Sequence, residues 1–156
     1  MTAATSTTTT IAELPGLKGT ELGTSDWFEV TQDRVNTFAD ATDDHQWIHV
    51  DVERATAESP FGGPIAHGYL TLSLLIPMWA QVLTVTDQTM GVNYGLNKVR
   101  FPAPVPVGSR IRLIATLKDV EEIKGGVQMT VGAVIEREGG EKPVCIAEPV
   151  FRAYGG

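Results

Sequence analysis

The second half of the chain is dominated by runs in which apolar and polar residues alternate. Alternation with a period of two is typical of strands that bury one face. The apolar positions of the first two runs are Ile111, Leu113, Ala115 and Leu117, and then Val127, Met129, Val131, Ala133 and Ile135. The last run divides into one face with Val144, Ile146, Glu148, Val150 and Arg152 and another with Cys145, Ala147, Pro149 and Phe151. Glycine pairs at 125–126 and 139–140 separate these runs and predict hairpin turns. Residues 91–101 read as a further extended segment, so the pattern predicts an antiparallel meander of long strands.

The middle of the chain predicts one long apolar helix. Residues 65–85, IAHGYLTLSLLIPMWAQVLTV, contain no Lys, Arg, Asp or Glu. The segment is long enough to span a bilayer, but it carries several polar residues and has no flanking positive charge to anchor it. A buried central helix is therefore the favoured interpretation. A helix that is apolar on nearly all faces must be covered, and a curved antiparallel sheet can cover it, which gives an α+β fold.

Shorter elements are predicted in the first half. Residues 26–30 read as a short strand, and Thr31 has the character of an N-cap for a helix over 32–41. The stretch DDHQWIH then follows as a loop, and Asp51 can cap a second short helix that runs to about residue 57.

Length and charge restrict the protein class. The chain has 156 residues, which favours one domain, placed at 20–156. A net charge of −7 and the lack of a basic cluster argue against a nucleic-acid partner. The Thr-rich start lacks a secretory signal, so we expect a disordered tail over 1–19 and a cytoplasmic protein that does not insert into a membrane. The single cysteine, Cys145, is expected to be a core residue in a reducing compartment.

Two of the three histidines of the chain lie in DDHQWIH, beside two acids. Asp44 and His49 are five positions apart, and the apolar Trp47 and Ile48 between them are expected to point into the core and fix the loop. A carboxylate and an imidazole that converge on one water could orient it and accept its proton. The same residues also fit a purely structural interpretation, in which Asp44 caps a turn and His49 is a hydrogen-bonded buried histidine.

A second candidate lies at AHGYL, where the long helix begins. Gly68 in the first turn would leave a free backbone N–H at the positive end of the helix dipole, where a developing oxyanion can bind. Close packing at a helix start is the structural alternative. His45 and His67 have no third partner at a metal-ligand spacing in the sequence, so no metal is expected.

Three motifs then resemble one family. FADATDDHQWIHVD, PIAHGYLTLSLL and NYGLNKVRFPAPVPVGSRI are similar, in this order, to segments of the MaoC-like dehydratases, also called (R)-specific enoyl-CoA hydratases or hydratase 2. The resemblance covers about residues 20–153 and points to a NodN-like subgroup. It implies the hotdog fold, in which a curved antiparallel sheet wraps around one long helix. Gln46-Trp47 stands where the family often has Asn-Pro, which affects the expected loop geometry and acyl pocket.

The resemblance also implies a chemistry. The family's catalytic aspartate and histidine fall on Asp44 and His49, and its oxyanion-binding amide falls on Gly68. The reaction would be (R)-specific, reversible hydration of trans-2-enoyl thioesters of coenzyme A or of an acyl carrier protein, with no cofactor. Hotdog domains normally pair, so a homodimer or a dimer of dimers is implied. The residues expected to line the substrate site are Gln46, Trp47, Phe61, His67, Leu72 and Trp79.

Three other functions remain open. A 3-hydroxyacyl-carrier-protein dehydratase would run related chemistry in the opposite direction. A hotdog thioesterase usually places an acid on its central helix, and residues 65–85 have none. A non-catalytic acyl-CoA-binding protein would have no need for Asp44 and His49 beside a helix-start glycine.

Overall fold

The computed structural model describes residues 3–156, in which a six-stranded antiparallel sheet packs against one long helix. This is the predicted α+β fold, with the sheet curved around the helix. The strands are β1 (Thr7–Thr9), β2 (Glu21–Thr24), β3 (Phe28–Glu29), β4 (Leu83–Val85), β5 (Gln88–Arg100), β6 (Arg110–Ile123), β7 (Gly126–Arg137) and β8 (Cys145–Gly155). The helices are α1 (Gln32–Thr42), α2 (Trp47–Val50), α3 (Val52–Glu58) and α4 (Gly68–Val82).

The alternating pattern places the sheet as predicted. Every apolar position of the β6 and β7 runs is buried, and β6–β7–β8 form a meander whose turns lie at the two glycine pairs. The expected thiol in the core is also confirmed, because Cys145 is buried and burial raises its pKa to about 11. A thiol with that pKa is almost entirely protonated at neutral pH and is a poor nucleophile.

The order of the strands differs from a simple meander. The main path through the sheet is β2-β6-β7-β8-β5, so β5 pairs with the last strand and not with β6, which follows it in sequence. Within residues 3–156, β5 is hydrogen-bonded along one side only. Most of its residues are exposed, including Met90, Tyr94 and Leu96. In the described part of the chain, the sheet therefore ends in a long edge strand with no strand paired along its outer side.

The long helix is shorter than the sequence pattern suggests. α4 spans Gly68–Val82, because residues 83–85 leave the helix and pair with β1 as the short parallel strand β4. One face of α4 is buried against the sheet, whereas Tyr69 and Ile76 on another face are exposed. No helix among the described residues is long and apolar enough to cross a membrane.

The short helices begin where their caps predict. The Thr31 hydroxyl accepts a hydrogen bond from the Arg34 amide at 3.2 Å, and the Asp51 carboxylate accepts one from the Arg54 amide at 3.0 Å. The DDHQWIH stretch is not a loop throughout, since Trp47–Val50 form the single helical turn α2. α1 ends at Thr42, and the next residue, Asp43, has a left-handed φ of 58° that turns the chain towards this segment.

The N-terminal segment is the main correction to the sequence prediction. A disordered tail is wrong for residues 3–19, because they contain β1 and a 3₁₀ helix, Leu14–Leu17. The amide of Ile11 donates to the Asp87 carboxylate at 2.9 Å, and Leu14 is fully buried in the core. A Thr-rich composition conceals this order, because threonine fits an extended strand as well as a solvated tail. Met1 and Thr2 lie outside the described residues.

The burial of Leu14 can be tested by a large-to-small substitution. We expect Leu14→Ala to lower the free energy of unfolding by about 2–5 kcal/mol, because it leaves a cavity in the core. Val52→Ala is the control, since Val52 is 48% exposed and should change the free energy by less than about 0.5 kcal/mol. Urea denaturation of both variants measures the difference, and equal, near-zero effects would mean that the segment does not pack.

Candidate active site

A cavity of about 490 Å³ opens at the N-terminal end of α4. The cavity is lined by the candidate residues of two sequence motifs, Asp44 and His49 from DDHQWIH and Gly68 from AHGYL. They come from the loop after α1, from α2 and from the start of α4. The complete lining is Phe38, Thr42, Asp44, His49, His67, Gly68, Tyr69 and Phe101.

One ring nitrogen of His49 is hydrogen-bonded to the buried backbone of Ile65, and the other is free. Its side chain is buried, and Nδ1 lies 2.6 Å from the carbonyl oxygen of Ile65. A carbonyl oxygen can only accept, so Nδ1 carries the hydrogen and donates it. In the neutral ring, Nε2 is then left as an acceptor. The carbonyl of His49 accepts from the Gln32 side chain at 2.8 Å, which fixes the backbone of the same residue.

The surroundings of His49 favour its neutral form. Burial lowers the pKa of His49 below its usual 6.5, because the protein interior solvates an imidazolium poorly. The hydrogen bond to the Ile65 carbonyl acts in the opposite direction. His67 adds to the lowering of the pKa and Asp44 opposes it, and the balance remains a lowered pKa. A neutral imidazole with a free Nε2 can accept a hydrogen bond or a proton.

Asp44 reaches the cavity from a more open position. The residue is exposed, and it follows the left-handed Asp43, which caps the end of α1. Its backbone carbonyl is 2.9 Å from Nε2 of His67, which anchors the main chain while the carboxylate stays accessible. The loop is thus held by a hydrogen bond to its backbone, and this bond does not use the Asp44 carboxylate.

The prediction that Trp47 and Ile48 point into the core and fix this loop is only partly correct. Trp47 and Ile48 do not point fully into the core, because both are only half-buried, and the guanidinium of Arg54 lies 4.2 Å from the centre of the Trp47 ring. The residue of α2 that is buried is His49. A polar residue can take the central position here because the Ile65 carbonyl satisfies its ring hydrogen.

Gly68 is the first residue of α4, where a backbone N–H has no acceptor within the helix. The ring of Phe101 packs closely over this glycine. A Cβ atom on residue 68 would lie 3.1 Å from that ring, which is tighter than ordinary contact. Glycine therefore allows Phe101 to approach the start of the helix, and both residues line the cavity.

The fold also brings His67 to the other two ionisable groups. Ligand atoms of Asp44, His49 and His67 all lie within 4.8 Å of one another, so the expectation that His67 lacks metal-ligand partners is wrong. The two imidazole rings are nonetheless stacked, 3.9 Å between centroids and 26° between planes. Nε2 of His67 carries the hydrogen that it donates to the Asp44 carbonyl, so this nitrogen has no lone pair free for an ion.

The predicted substrate-binding residues are spread over several places. Of the six, only His67 lines the same cavity as Asp44 and His49. Gln46 is exposed at the start of α2 and makes no capping bond with its side chain. Phe61 lines a neighbouring apolar cavity of about 340 Å³, which also touches Gly68 and Phe101.

The remaining two, Leu72 and Trp79, lie further along α4. Leu72 lines a cavity of about 280 Å³ between α4 and β5, and Trp79 stacks on Phe151 at 4.9 Å between centroids. Phe151 lines the cavity of Leu72 as well. An apolar compartment therefore extends from the helix towards the exposed edge strand.

Four residues of the cavity are not indicated as site residues by the sequence: Phe38, Thr42, Tyr69 and Phe101. Phe38 is recognisable only as an apolar position of α1. Tyr69 is 73% exposed. Its position directly after Gly68 is the only feature of the sequence that could have indicated it as a site residue. Phe101 lies in the Pro-rich bend of a quoted motif, but nothing local to it indicates that it folds back onto α4.

Comparisons with known proteins agree with this architecture. The family described as MaoC like domain matches residues 14–138. The chain is 54% identical to 3-hydroxyacyl-thioester dehydratase Z of Mycobacterium tuberculosis, over 91% of this chain and 94% of that protein. It is 47% identical to nodulation protein N of Rhizobium meliloti, over 88% and 86% respectively.

A solved structure is similar as well. The (R)-hydratase from A. caviae involved in PHA biosynthesis superposes with a TM-score of 0.68 and 25% identity, covering 81% of this chain and 89% of that one. The family match, the close relatives and the hotdog architecture all confirm the resemblance read from the three motifs. The chain belongs to the family of MaoC-like domains.

Proposed function

We propose that the protein adds water reversibly to trans-2-enoyl thioesters and gives (R)-3-hydroxyacyl thioesters. One observation carries the proposal: a single cavity holds a carboxylate, an imidazole with a free acceptor nitrogen, and the first amide of a long helix. Hydration of an enoyl thioester needs these three functions, namely a proton acceptor, a group that orients water and a donor for the developing oxyanion.

Water would bind between Asp44 and His49. Nε2 of His49 accepts one hydrogen of the water and fixes its direction, while the Asp44 carboxylate accepts the other proton. The oxygen then attacks C3 of the enoyl group, and the C2–C3 π electrons move towards the thioester carbonyl. Acid–base catalysis of this kind contributes roughly 10²–10⁴-fold to rate.

The negative charge that forms on the thioester oxygen would meet the amide of Gly68. The positive end of the α4 dipole adds to this stabilisation, and loss of one such donor typically costs about 3 kcal/mol in the transition state. The proton taken from water returns from the Asp44–His49 pair to C2 as the enolate collapses. One molecule of water is thereby added, and the pair ends as it began.

The nearest alternative function differs in the direction of the reaction and in the carrier of the acyl group. Hydration and dehydration pass through the same transition state, so the same site would serve a 3-hydroxyacyl-carrier-protein dehydratase. The Mycobacterium tuberculosis relative, named a thioester dehydratase, supports dehydration, and the A. caviae protein, named an (R)-hydratase, supports hydration. We favour coenzyme A thioesters as substrates and a cytoplasmic reaction. A thioesterase is less favoured, since α4 contains no Asp or Glu.

We further propose that the protein acts as a homodimer that pairs through β5. No strand of residues 3–156 pairs with the outer side of β5, which leaves a row of its backbone groups open, and long edges of this kind normally pair. Leu96 of β5 and Ile76 of α4 line the apolar compartment beside this edge and are 45% and 36% exposed. A second copy would cover the compartment and exclude water from an acyl chain inside it.

The two proposed reacting groups can be tested by near-isosteric substitution. We expect Asp44→Asn and His49→Gln each to reduce kcat for crotonyl-CoA hydration by about 10²–10⁴-fold, because each removes one half of the pair that handles water. Loss of enoyl absorbance measures the rate, and chiral analysis identifies the product.

His45→Gln is the matched control for His49→Gln. His45 lies in the same segment, but it is exposed and pairs with Asp40 at 2.9 Å outside the cavity. This variant should hydrate at close to the wild-type rate. Near-native turnover by Asp44→Asn or His49→Gln would refute the assignment, and release of free coenzyme A without hydration would favour a thioesterase.

The dimer can be tested with a charge placed on the edge strand. For the wild type, sedimentation equilibrium should give about twice the 16.8 kDa of one chain. Leu96→Lys should shift the mass towards one chain, because a lysine on β5 opposes edge pairing. Val52→Lys, at an exposed position of α3, is the control and should leave the mass unchanged. A wild-type mass of one chain would contradict the proposal.

A further inference from the structure

We propose that His67 is a positioning residue that holds both reacting groups of the site at once. Its ring stacks on the ring of His49, and its Nε2 binds the backbone carbonyl of Asp44. This inference rests on the proposed hydration, because it gives His67 a task in that reaction. It differs from the role expected from the sequence, in which His67 contacts the substrate.

Neither ring nitrogen of His67 is available to the substrate, one because of a hydrogen bond and the other because of burial. Nε2 lies 2.9 Å from the Asp44 carbonyl oxygen, which can only accept, so Nε2 carries the hydrogen and donates it. Nδ1 is buried and has no hydrogen-bond partner among the described residues. One ring nitrogen is therefore used by the Asp44 backbone, and the other is closed off from solvent.

The stack supplies a restraint that His49 otherwise lacks. The Nδ1 bond to Ile65 fixes one atom of the His49 ring but permits the ring to turn about that bond. A second ring at 3.9 Å, inclined by 26°, restricts this turn and so fixes the direction of Nε2. The His67 ring is restrained in its own right by Phe38, whose centroid is 4.8 Å away.

These two contacts set the geometry on which the reaction depends. The water must touch the Asp44 carboxylate and Nε2 of His49 together, and a displacement of about 1 Å in such a site can cost about 100-fold in rate. Asp44 is exposed, so packing restrains it little. The hydrogen bond from His67 to its backbone carbonyl therefore restricts the position of this residue. A single side chain thus couples the positions of two residues that come from different elements.

The pH dependence of the rate gives a second test of His67, because His67 affects the pKa of His49. The ionisable groups that act on His49 are His67, at the start of α4, and Asp44, in the loop after α1. Of the other residues around the cavity, Tyr69 follows on α4, whereas Phe38 and Thr42 of α1 and Phe101 after β5 carry no charge. His67 lowers the pKa of His49, so its removal should move the acid limb of the pH–rate profile to higher pH.

Two substitutions separate the contacts of His67. His67→Phe keeps a ring for the stack and loses the donor, whereas His67→Gln keeps a donor and loses the ring. We expect each to lower kcat by about 10- to 100-fold with KM changed by less than about 3-fold, because geometry is lost and binding is kept. In His67→Gln the acid limb of the pH–rate profile should also move to higher pH, because the electrostatic effect of His67 on His49 is lost without added apolar burial. Amide hydrogen exchange over residues 43–46 should accelerate in His67→Phe and change least in His67→Gln.

His45→Gln carries the same substitution outside the cavity and should leave kcat, KM and the acid limb unchanged. Thermal unfolding of each variant establishes that it is folded before its rates are compared. An unchanged kcat with a raised KM would overturn the inference, because His67 would then be a substrate contact. Unchanged kcat, KM and exchange would overturn it as well.

Failure of the inference and failure of the proposed function are distinguishable. If the wild type does not hydrate enoyl-CoA, the proposed function fails. Hydrogen exchange over 43–46 and an NMR titration of the His49 side chain, in the wild type and in the His67 variants, still measure both contacts of His67. If the wild type hydrates and the variants match it, the proposed function stands and only the role of His67 is wrong.

Discussion

The site depends on the hydrogen bond from Nδ1 of His49 to the carbonyl of Ile65. The bond joins α2 to the segment that leads into α4, and the amide of Ile65 returns a bond to the carbonyl of Ile48 at 3.0 Å. The next amide, that of Ala66, donates to the carbonyl of Val105 at 2.8 Å. Two residues therefore connect α2, the start of the central helix and the bend after β5, and each of these elements contributes to the cavity.

This arrangement uses backbone atoms to satisfy the buried polar groups. The Ile65 carbonyl satisfies the hydrogen of His49, and the Asp44 carbonyl satisfies that of His67. The Asp44 carboxylate and Nε2 of His49 are not needed for these bonds, so they stay available for water. A buried donor without an acceptor destabilises a fold, and these two backbone carbonyls avoid that cost for the two ring hydrogens without occupying the reactive atoms.

Much of the fold could be predicted because its signals are local. The period-two runs of β6 and β7, the cap at Thr31 and the cap at Asp51 need only their immediate neighbours, and the structure confirms them. Other features depend on distant residues. The pairing of β5 with β8, the burial of Leu14 and the β1–β4 pairing all involve partners far along the chain, and the local sequence does not encode them.

The same distinction applies to the site. The motifs indicated Asp44, His49 and Gly68, and the fold brings these three to one cavity. The sequence could not indicate that His49 would be the buried residue of α2, because the acceptor that permits its burial lies sixteen positions away. The stack of His67 on His49 and the approach of Phe101 to Gly68 likewise arise only when the segments pack.

The proposed hydration requires His49 to be a neutral imidazole with its hydrogen on Nδ1 and a free acceptor at Nε2. The most direct measurement is ¹⁵N NMR of the histidine side chains across a pH titration. We expect His49 to show a protonated Nδ1 and an unprotonated Nε2 at neutral pH, and to titrate below 6.5, because its pKa is lowered mainly by burial. A hydrogen on Nε2 at neutral pH, or a midpoint above 6.5, would contradict the account.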